Sequence, residues 1–271
     1  MDRSARLRQA LEQRGVAWSA SLEWHESLGS TNDVLKEGAR AGADEWTTVL
    51  ADTQTGGRGR EGRTWASPPG GLYLSVLLRP ESAGVALLPL AAGVVVSEVA
   101  EEHGVAAELK WPNDALVRGR KLAGILTEAS SGSGGVDWVV VGIGINVAVD
   151  VAALAPPAGD VATSLHLEAG GTPAVADVAA GVLARLPVWY DALQHRPDSV
   201  VSAWRERASR WWGMLVQVRT AESVFRGRLH DVDEHGALIV DLEGGGSRRV
   251  LSGEVTRLRP VGWEAEGGQG S

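Results

Sequence analysis

The chain has 271 residues, 44% of them hydrophobic and 22% charged, with a formal net charge of −8, six histidines and no cysteine. That length holds one large domain or two unequal ones around a sizeable core. The composition excludes thiol nucleophiles, disulfides and cysteine metal sites, and its acidity argues against a general nucleic-acid binder, a local basic loop aside. Residues 5–14 place Leu7, Ala10 and Leu11 on one helical face, with Gly15 as a stop. Ser30-Thr31-Asn32-Asp33 opens a second helix through Val34, Leu35 and Ala39 to Gly42, and residues 47–51 read as a strand.

Residues 54–65 form a loop rich in glycine and arginine. A strand over 72–78 and a helix over 85–102 follow, then strands over 109–111, 115–117, 121–128 and 138–147, with a tight turn at Arg118-Gly119. Two helices span 174–194 and 198–210, the second presenting Val201, Trp204 and Ala208. After Trp212 the texture changes to short strands (215–220, 223–232, 237–242, 247–251 and 255–258) joined by glycine-rich turns, a small barrel or sandwich. The expected organisation is an α/β domain over 1–212, a β domain over 213–262 and a disordered, acidic, glycine-rich tail over 263–271. The charged N-terminus lacks the apolar stretch of a signal peptide, and the longest apolar run, residues 85–96, is broken by Pro89 and Gly93. A cytoplasmic protein with no membrane segment is expected.

Rare residue types point to the chemistry. Of 26 basic residues only Lys36, Lys110 and Lys121 are lysine, and the asparagines are Asn32, Asn113 and Asn146. In a chain so biased to arginine, the surviving lysines and asparagines mark positions where a substitute fails, since a guanidinium cannot stand in for a compact ammonium. Lys36 is the exception: helical spacing turns it outward, and no role is assigned to it.

Gly57-Arg58-Gly59-Arg60-Glu61-Gly62 matches GxGxxG, yet the following Arg63-Thr64-Trp65-Ala66-Ser67-Pro68-Pro69-Gly70 cannot be the helix that a dinucleotide fingerprint must open. What remains is a mobile loop whose amides and guanidinium forks suit phosphate, with Trp65 suited to an adenine face. A solvated basic loop with a core tryptophan is the plainer alternative. Ser30-Thr31-Asn32 offers donors and acceptors for a neutral polar ring such as a ureido group, or it is an ordinary helix cap. Lys110-Trp111-Pro112-Asn113-Asp114 ends one strand and Lys121-Leu122-Ala123-Gly124 begins another. If those strands are adjacent, both ammoniums converge beside Asp114 and Asn113 as an anion site; otherwise these are turn residues and surface lysines. Gly142 and Gly144, in an apolar strand ending at Asn146, allow close approach of a ligand or of another backbone, or mark a bulge.

In this order the segments resemble the biotin protein ligases. The resemblance rests on Ser30-Thr31-Asn32, Gln54, the segment 57–65, Lys110-Trp111-Pro112-Asn113-Asp114, residues 121–126 and Gly142-Ile143-Gly144-Ile145-Asn146, and spans roughly residues 22–260. It implies a mixed-sheet catalytic domain like that of class II synthetases, followed by a small SH3-like β-barrel. It also implies ATP-dependent activation of biotin to biotinyl-5′-AMP and transfer of biotin to a lysine of the biotin carboxyl carrier domain of biotin-dependent carboxylases.

By that resemblance Ser30, Thr31, Asn32 and Gln54 contact the biotin head group, and Gly57, Arg58, Gly59 and Arg60 form a loop closing over biotin and adenylate. Lys121 holds the carboxyl or acyl-phosphate oxygens. Arg63, Trp65 and Asn146 serve the nucleotide, and Gly124, Gly142 and Gly144 belong to the binding surface. Lys110 neutralises the α-phosphate region, and Asp114 organises that lysine or Mg²⁺. Only about twenty residues precede the catalytic segment, too few for the DNA-binding domain that some family members carry, so a ligase without repressor activity is expected. Both monomers and homodimers occur in the family. A lipoate or octanoate ligase shares the fold and activation chemistry, but no arginine- and glycine-rich segment ending in His-Asp is present. A non-catalytic biotin-responsive regulator and an RNA-binding protein are weaker alternatives.

Overall fold

The computed structural model describes residues 3–80, 84–132, 134–156 and 161–257. Its first part is a seven-stranded mixed sheet in the order β1-β2-β3-β7-β6-β5-β4. The strands are β1 (Leu22–Leu28), β2 (Thr48–Gln54), β3 (Gly71–Leu78), β4 (Glu108–Lys110), β5 (Asp114–Val117), β6 (Arg120–Gly132) and β7 (Gly135–Asn146). Only β1 and β2 run parallel. β1 was not foreseen. It is an edge strand in which only Leu22 is buried, so its charged sequence carries little hydrophobic signal. At the turn between β5 and β6, Arg118 (φ 51°) and Gly119 (φ 77°) take the left-handed geometry of a tight hairpin, as expected.

Period-two alternation divides the sheet into two faces. Leu72, Leu74, Val76 and Leu78 of β3, Ala123 and Ile125 of β6, and Val139, Val141, Ile143 and Ile145 of β7 face the main core. That core is closed by α1 (Arg3–Gln13), α3 (Leu88–Glu102), α5 (Val175–His195) and α6 (Pro197–Arg207). The other face carries α2 (Thr31–Arg40) over Val49, Leu77 and Val140. A short helix, α4 (Leu165–Ala169), lies between β7 and α5 and was not foreseen from the sequence.

Five antiparallel strands form the second sheet in the order β11-β10-β9-β8-β12. These are β8 (Leu215–Arg219), β9 (Val224–Val232), β10 (Leu238–Leu242), β11 (Ser247–Val250) and β12 (Glu254–Arg257). Its apolar residues join the main core, and Trp111 Nε1 donates across to the Gly236 carbonyl at 3.0 Å. A mixed α/β sheet followed by an antiparallel β sheet is thus the expected fold class. The end of the last expected strand, Leu258, and the tail 263–271 lie outside the described residues. No described helix is long and apolar enough to cross a membrane.

Candidate active site

The register of the first sheet lays a floor for the site on its α2 face. Tyr73 pairs with Gly144, Gly144 with Gly124, Gly124 with Asp114 and Asp114 with Lys110, one row across five strands. The adjacent row is Ser75, Gly142 and Leu126, and Glu128 follows on β6 beside Val140. Glycines at the centre of both rows leave troughs. Trp65 fills the first: a Cβ on Gly144 would lie 2.7 Å from the Trp65 indole nitrogen, and one on Gly124 would lie 3.1 Å from its ring. Asn32 fills the second, since a Cβ on Gly142 would fall 2.2 Å from its Oδ1. The glycines therefore admit side chains of the protein itself, and a single cavity opens above them.

One end of that cavity is polar and uncharged. Ser30 occupies the N-cap position of α2, but its hydroxyl makes no capping bond, so the plain helix-cap reading does not account for it. The Thr31 amide donates to Gln54 Oε1 at 2.9 Å, and the Thr31 hydroxyl donates to the same oxygen at 3.2 Å. Gln54 Nε2 in turn donates to Ser67 Oγ at 2.9 Å. Gly57 permits this packing, since a Cβ there would sit 2.4 Å from the Trp65 carbonyl and 2.5 Å from Ser67 Oγ.

Beside this end lies a four-membered charge cluster that the sequence did not disclose. Arg58 pairs with both Asp33 and Glu128, and Lys36 reaches Glu128 at 2.7 Å and Asp33 at 2.9 Å. Lys36 therefore does not point into solvent as expected: its side chain is 18% exposed, because Glu128 on β6 draws the ammonium back toward the sheet. Hydrogen bonding from Arg58 outweighs burial and, with Lys36, holds the Asp33 carboxyl at about 2. Burial pushes the Glu128 carboxyl up, yet bonds from Lys36, Asn32 and Arg58 bring it below the usual range. Arg58 is thus held between two carboxylates rather than left free for phosphate.

The rest of the arginine loop docks on the second sheet. After one 3-10 turn, Arg60–Gly62, with Glu61 at φ 56°, Arg60 donates to Ser252 Oγ at 2.7 Å and to the Gly253 carbonyl at 3.4 Å. Arg63 pairs with Glu254 at 3.0 Å and with Glu61 at 3.6 Å. No signal within the 57–65 segment marks Ser252, Gly253 and Glu254, which lie about 190 residues away in sequence.

The cationic end gathers both lysines, although their strands are not adjacent: β5 lies between β4 and β6. Asp114 makes the convergence possible by pairing with Lys121 at 2.6 Å from the row that also contains Lys110. Lys121 lies 5.2 Å from the centroid of the Trp65 ring, and Lys110 lies 5.8 Å from that of Trp211. Burial lowers the Lys110 ammonium below its usual range, a shift that Asp114 opposes and Lys121 reinforces. Asn113 Nδ2 donates to the Ile125 carbonyl at 2.6 Å and pins the turn to β6.

Of the residues expected at the site, Ser30, Thr31, Asn32, Gln54, Arg58, Gly59, Arg60, Arg63, Trp65, Lys110, Asp114, Lys121, Gly124, Gly142 and Gly144 line this one cavity, with Gly253, Glu254 and Val255 of the second sheet. Gly57 and Asn146 do not line it. The Asn146 amide is buried and donates to the carbonyls of Thr163 at 3.0 Å and Lys121 at 3.3 Å, so it braces the backbone of Lys121 from behind. Among the described residues no three His, Asp or Glu side chains gather as a metal cluster. Asp114 is the carboxylate placed beside the two lysines.

Residues 24–146 match the profile of the Biotin/lipoate A/B protein ligase family, and residues 215–257 match the Biotin protein ligase C terminal domain. The chain is 36% identical over 243 residues to a biotin–[acetyl-CoA-carboxylase] ligase of Paracoccus denitrificans, covering 82% of this chain and 94% of that one. It is 35% identical over 263 residues to the enzyme of the same description from Mycobacterium tuberculosis, covering 93% and 94%. Among solved structures it resembles the biotin protein ligase of Aquifex aeolicus in complex with biotin and ATP, with a TM-score of 0.74, 32% identity and coverage of 89% of this chain and 99% of that one.

Proposed function

Because the chain belongs to the biotin protein ligases, we propose that it activates biotin with ATP and transfers it to a lysine of a biotin carboxyl carrier domain. The observation that carries this reading is one cavity with an uncharged polar end at Ser30, Thr31 and Gln54 and a cationic end at Lys110 and Lys121. The first end suits a ureido ring and the second a carboxylate meeting a phosphate.

In the first step a biotin carboxylate oxygen attacks the α-phosphorus of ATP, the bond to pyrophosphate breaks, and biotinyl-5′-AMP forms. Lys121, restrained by Asp114, and Lys110 meet the negative charge that collects on the phosphoryl oxygens. Trp65 lies in the glycine trough as a face for the adenine ring, with Arg63 beside the nucleotide. Mg²⁺ belongs to this proposal: Asp114 would hold it, and the ion would neutralise phosphate charge. In the second step the carrier lysine amine attacks the acyl carbon and loses a proton, and the acyl–oxygen bond breaks to release AMP. The closed loop keeps water from the mixed anhydride until then. Residues 1–212 are the proposed catalytic unit and 213–262 the unit that closes it, in a protein of the cytoplasm.

Purified protein with biotin, ATP, Mg²⁺ and a carrier domain should yield carrier that streptavidin detects. Carrier that stays unlabelled, or lipoylation of the carrier in a parallel mixture with lipoate in place of biotin, overturns the reading. Arg60 docks the loop on Ser252 and Gly253, so Arg60→Gly should release adenylate about 10- to 100-fold faster, the worth of one or two charge-assisted bonds. The check is biotin on bystander lysines in a mixture with serum albumin. Labelling that stays confined to the carrier removes Arg60 from this role.

A further inference from the structure

A chain of hydrogen bonds leads from the uncharged end of the cavity to an acid outside the reacting centre. Asn32 Nδ2 donates to Glu128 Oε2 at 2.8 Å and to the Leu126 carbonyl at 3.3 Å. Both partners are acceptors only, so the orientation of the amide is determined: its nitrogen faces Glu128 and its oxygen faces Ser75. Ser75 Oγ lies 2.6 Å from Asn32 Oδ1 and 2.7 Å from Thr31 Oγ1, and it has one proton for the two contacts. Asn32 Oδ1 has no proton of its own and takes it. The Thr31 proton then has two acceptors, both within the protein: Gln54 Oε1 and Ser75 Oγ. Either choice leaves the Thr31 oxygen offering a lone pair. Asn32, Thr31 and Ser75 are all buried, so water does not scramble the order.

We propose that Glu128 is a positioning residue that, through Asn32 and Ser75, fixes Thr31 as a hydrogen-bond acceptor and so makes the pocket select a head group with a ring N–H. Glu128 does not line the cavity. Without a carboxylate at this place only the 3.3 Å bond to the Leu126 carbonyl holds the amide, and Asn32 can turn over and donate to Ser75. Ser75 then donates to Thr31, whose proton is left with Gln54 Oε1 at 3.2 Å as its remaining acceptor in the protein and can turn to the ligand instead. The polarity of the pocket is thus set three side chains away. This inference rests on the biotin reading of the site and adds to it the origin of head-group selectivity.

The test compares biotin with its cyclic carbamate analogue, in which a ring oxygen replaces one ureido N–H, by the kcat/KM of adenylate formation. Wild-type protein should prefer biotin by about 10³-fold or more, since an acceptor would face an acceptor. Glu128→Gln and Ser75→Ala should each cut that preference about tenfold or more, mainly through KM for biotin, with KM for ATP unchanged. Ser75→Ala leaves the ion pairs of Glu128 intact and decides the matter if Glu128→Gln does not fold. Lys36→Met removes a charge partner of Glu128 but no member of the chain, and should keep the wild-type preference. Folded Ser75→Ala with the wild-type preference, or Lys36→Met with a preference reduced as far as in Ser75→Ala, overturns the relay. Wild-type protein that forms no biotinyl adenylate overturns the functional reading itself, whereas adenylate formation with unchanged selectivity in Ser75→Ala overturns the relay alone.

Discussion

Lys121→Arg should lower kcat/KM for biotin adenylation about 10²- to 10³-fold although the charge is kept, the size of effect seen when a preorganised donor to a developing oxyanion is lost. The reason is space. Lys121 Nζ lies 2.6 Å from Asp114 and 5.2 Å from the centroid of Trp65. It passes so close to Gly124 that a Cβ there would come within 3.3 Å of Lys121 Cε. A compact ammonium fits between an acid, an indole and a glycine floor. A planar guanidinium is wider, forks onto Asp114 and presses Trp65 out of its trough. Adenylate formation under single-turnover conditions measures the loss, with a thermal melt to show that the fold persists. Activity within about threefold of wild type would mean that the ammonium is dispensable and that only its charge matters.

Much of this site was legible in the sequence because its residues come in compact segments whose chemistry is local. Lys110 and Asp114 flank one turn, and Lys121 and Gly124 share one strand end. Such groups announce themselves without knowledge of the fold. The glycines of β7 were legible as close-approach positions, but not as seats for Asn32 and Trp65, which needs the cross-strand register. Glu128 was invisible for the opposite reason. It is an ordinary acid on a strand, and its importance arises only when α2 delivers Asn32 and Lys36 and the loop delivers Arg58. Ser252 and Glu254 likewise depend on how the second sheet packs against the loop. The same blindness explains Lys36: helical spacing says which way a side chain leaves its own helix, not which carboxylate it will meet.

The two central glycines underlie different side chains of the site, Asn32 and Trp65, and their alanine variants should fail differently. Gly142 and Gly144 are two residues apart on β7, so they share a face, yet each underlies a different neighbour. A methyl at Gly142 would come within 2.2 Å of Asn32 Oδ1, and that oxygen is tied at once to Ser75 and, through its own amide, to Glu128. Asn32 must move, and the head-group end moves with it. A methyl at Gly144 would come 2.7 Å from the Trp65 indole nitrogen and lift the ring from the floor. Overpacking of this kind costs about 1–3 kcal/mol, or roughly 5- to 150-fold in an equilibrium constant. Gly142→Ala should therefore raise the Kd for biotin by that order with little change for nucleotide. Gly144→Ala should raise the Kd for ATP and leave biotin nearly unaffected. Calorimetric titration of each variant with each ligand checks the separation. Equal weakening of both ligands in both variants would show that the floor yields as one piece, and that the two troughs are not the separate seats their register implies.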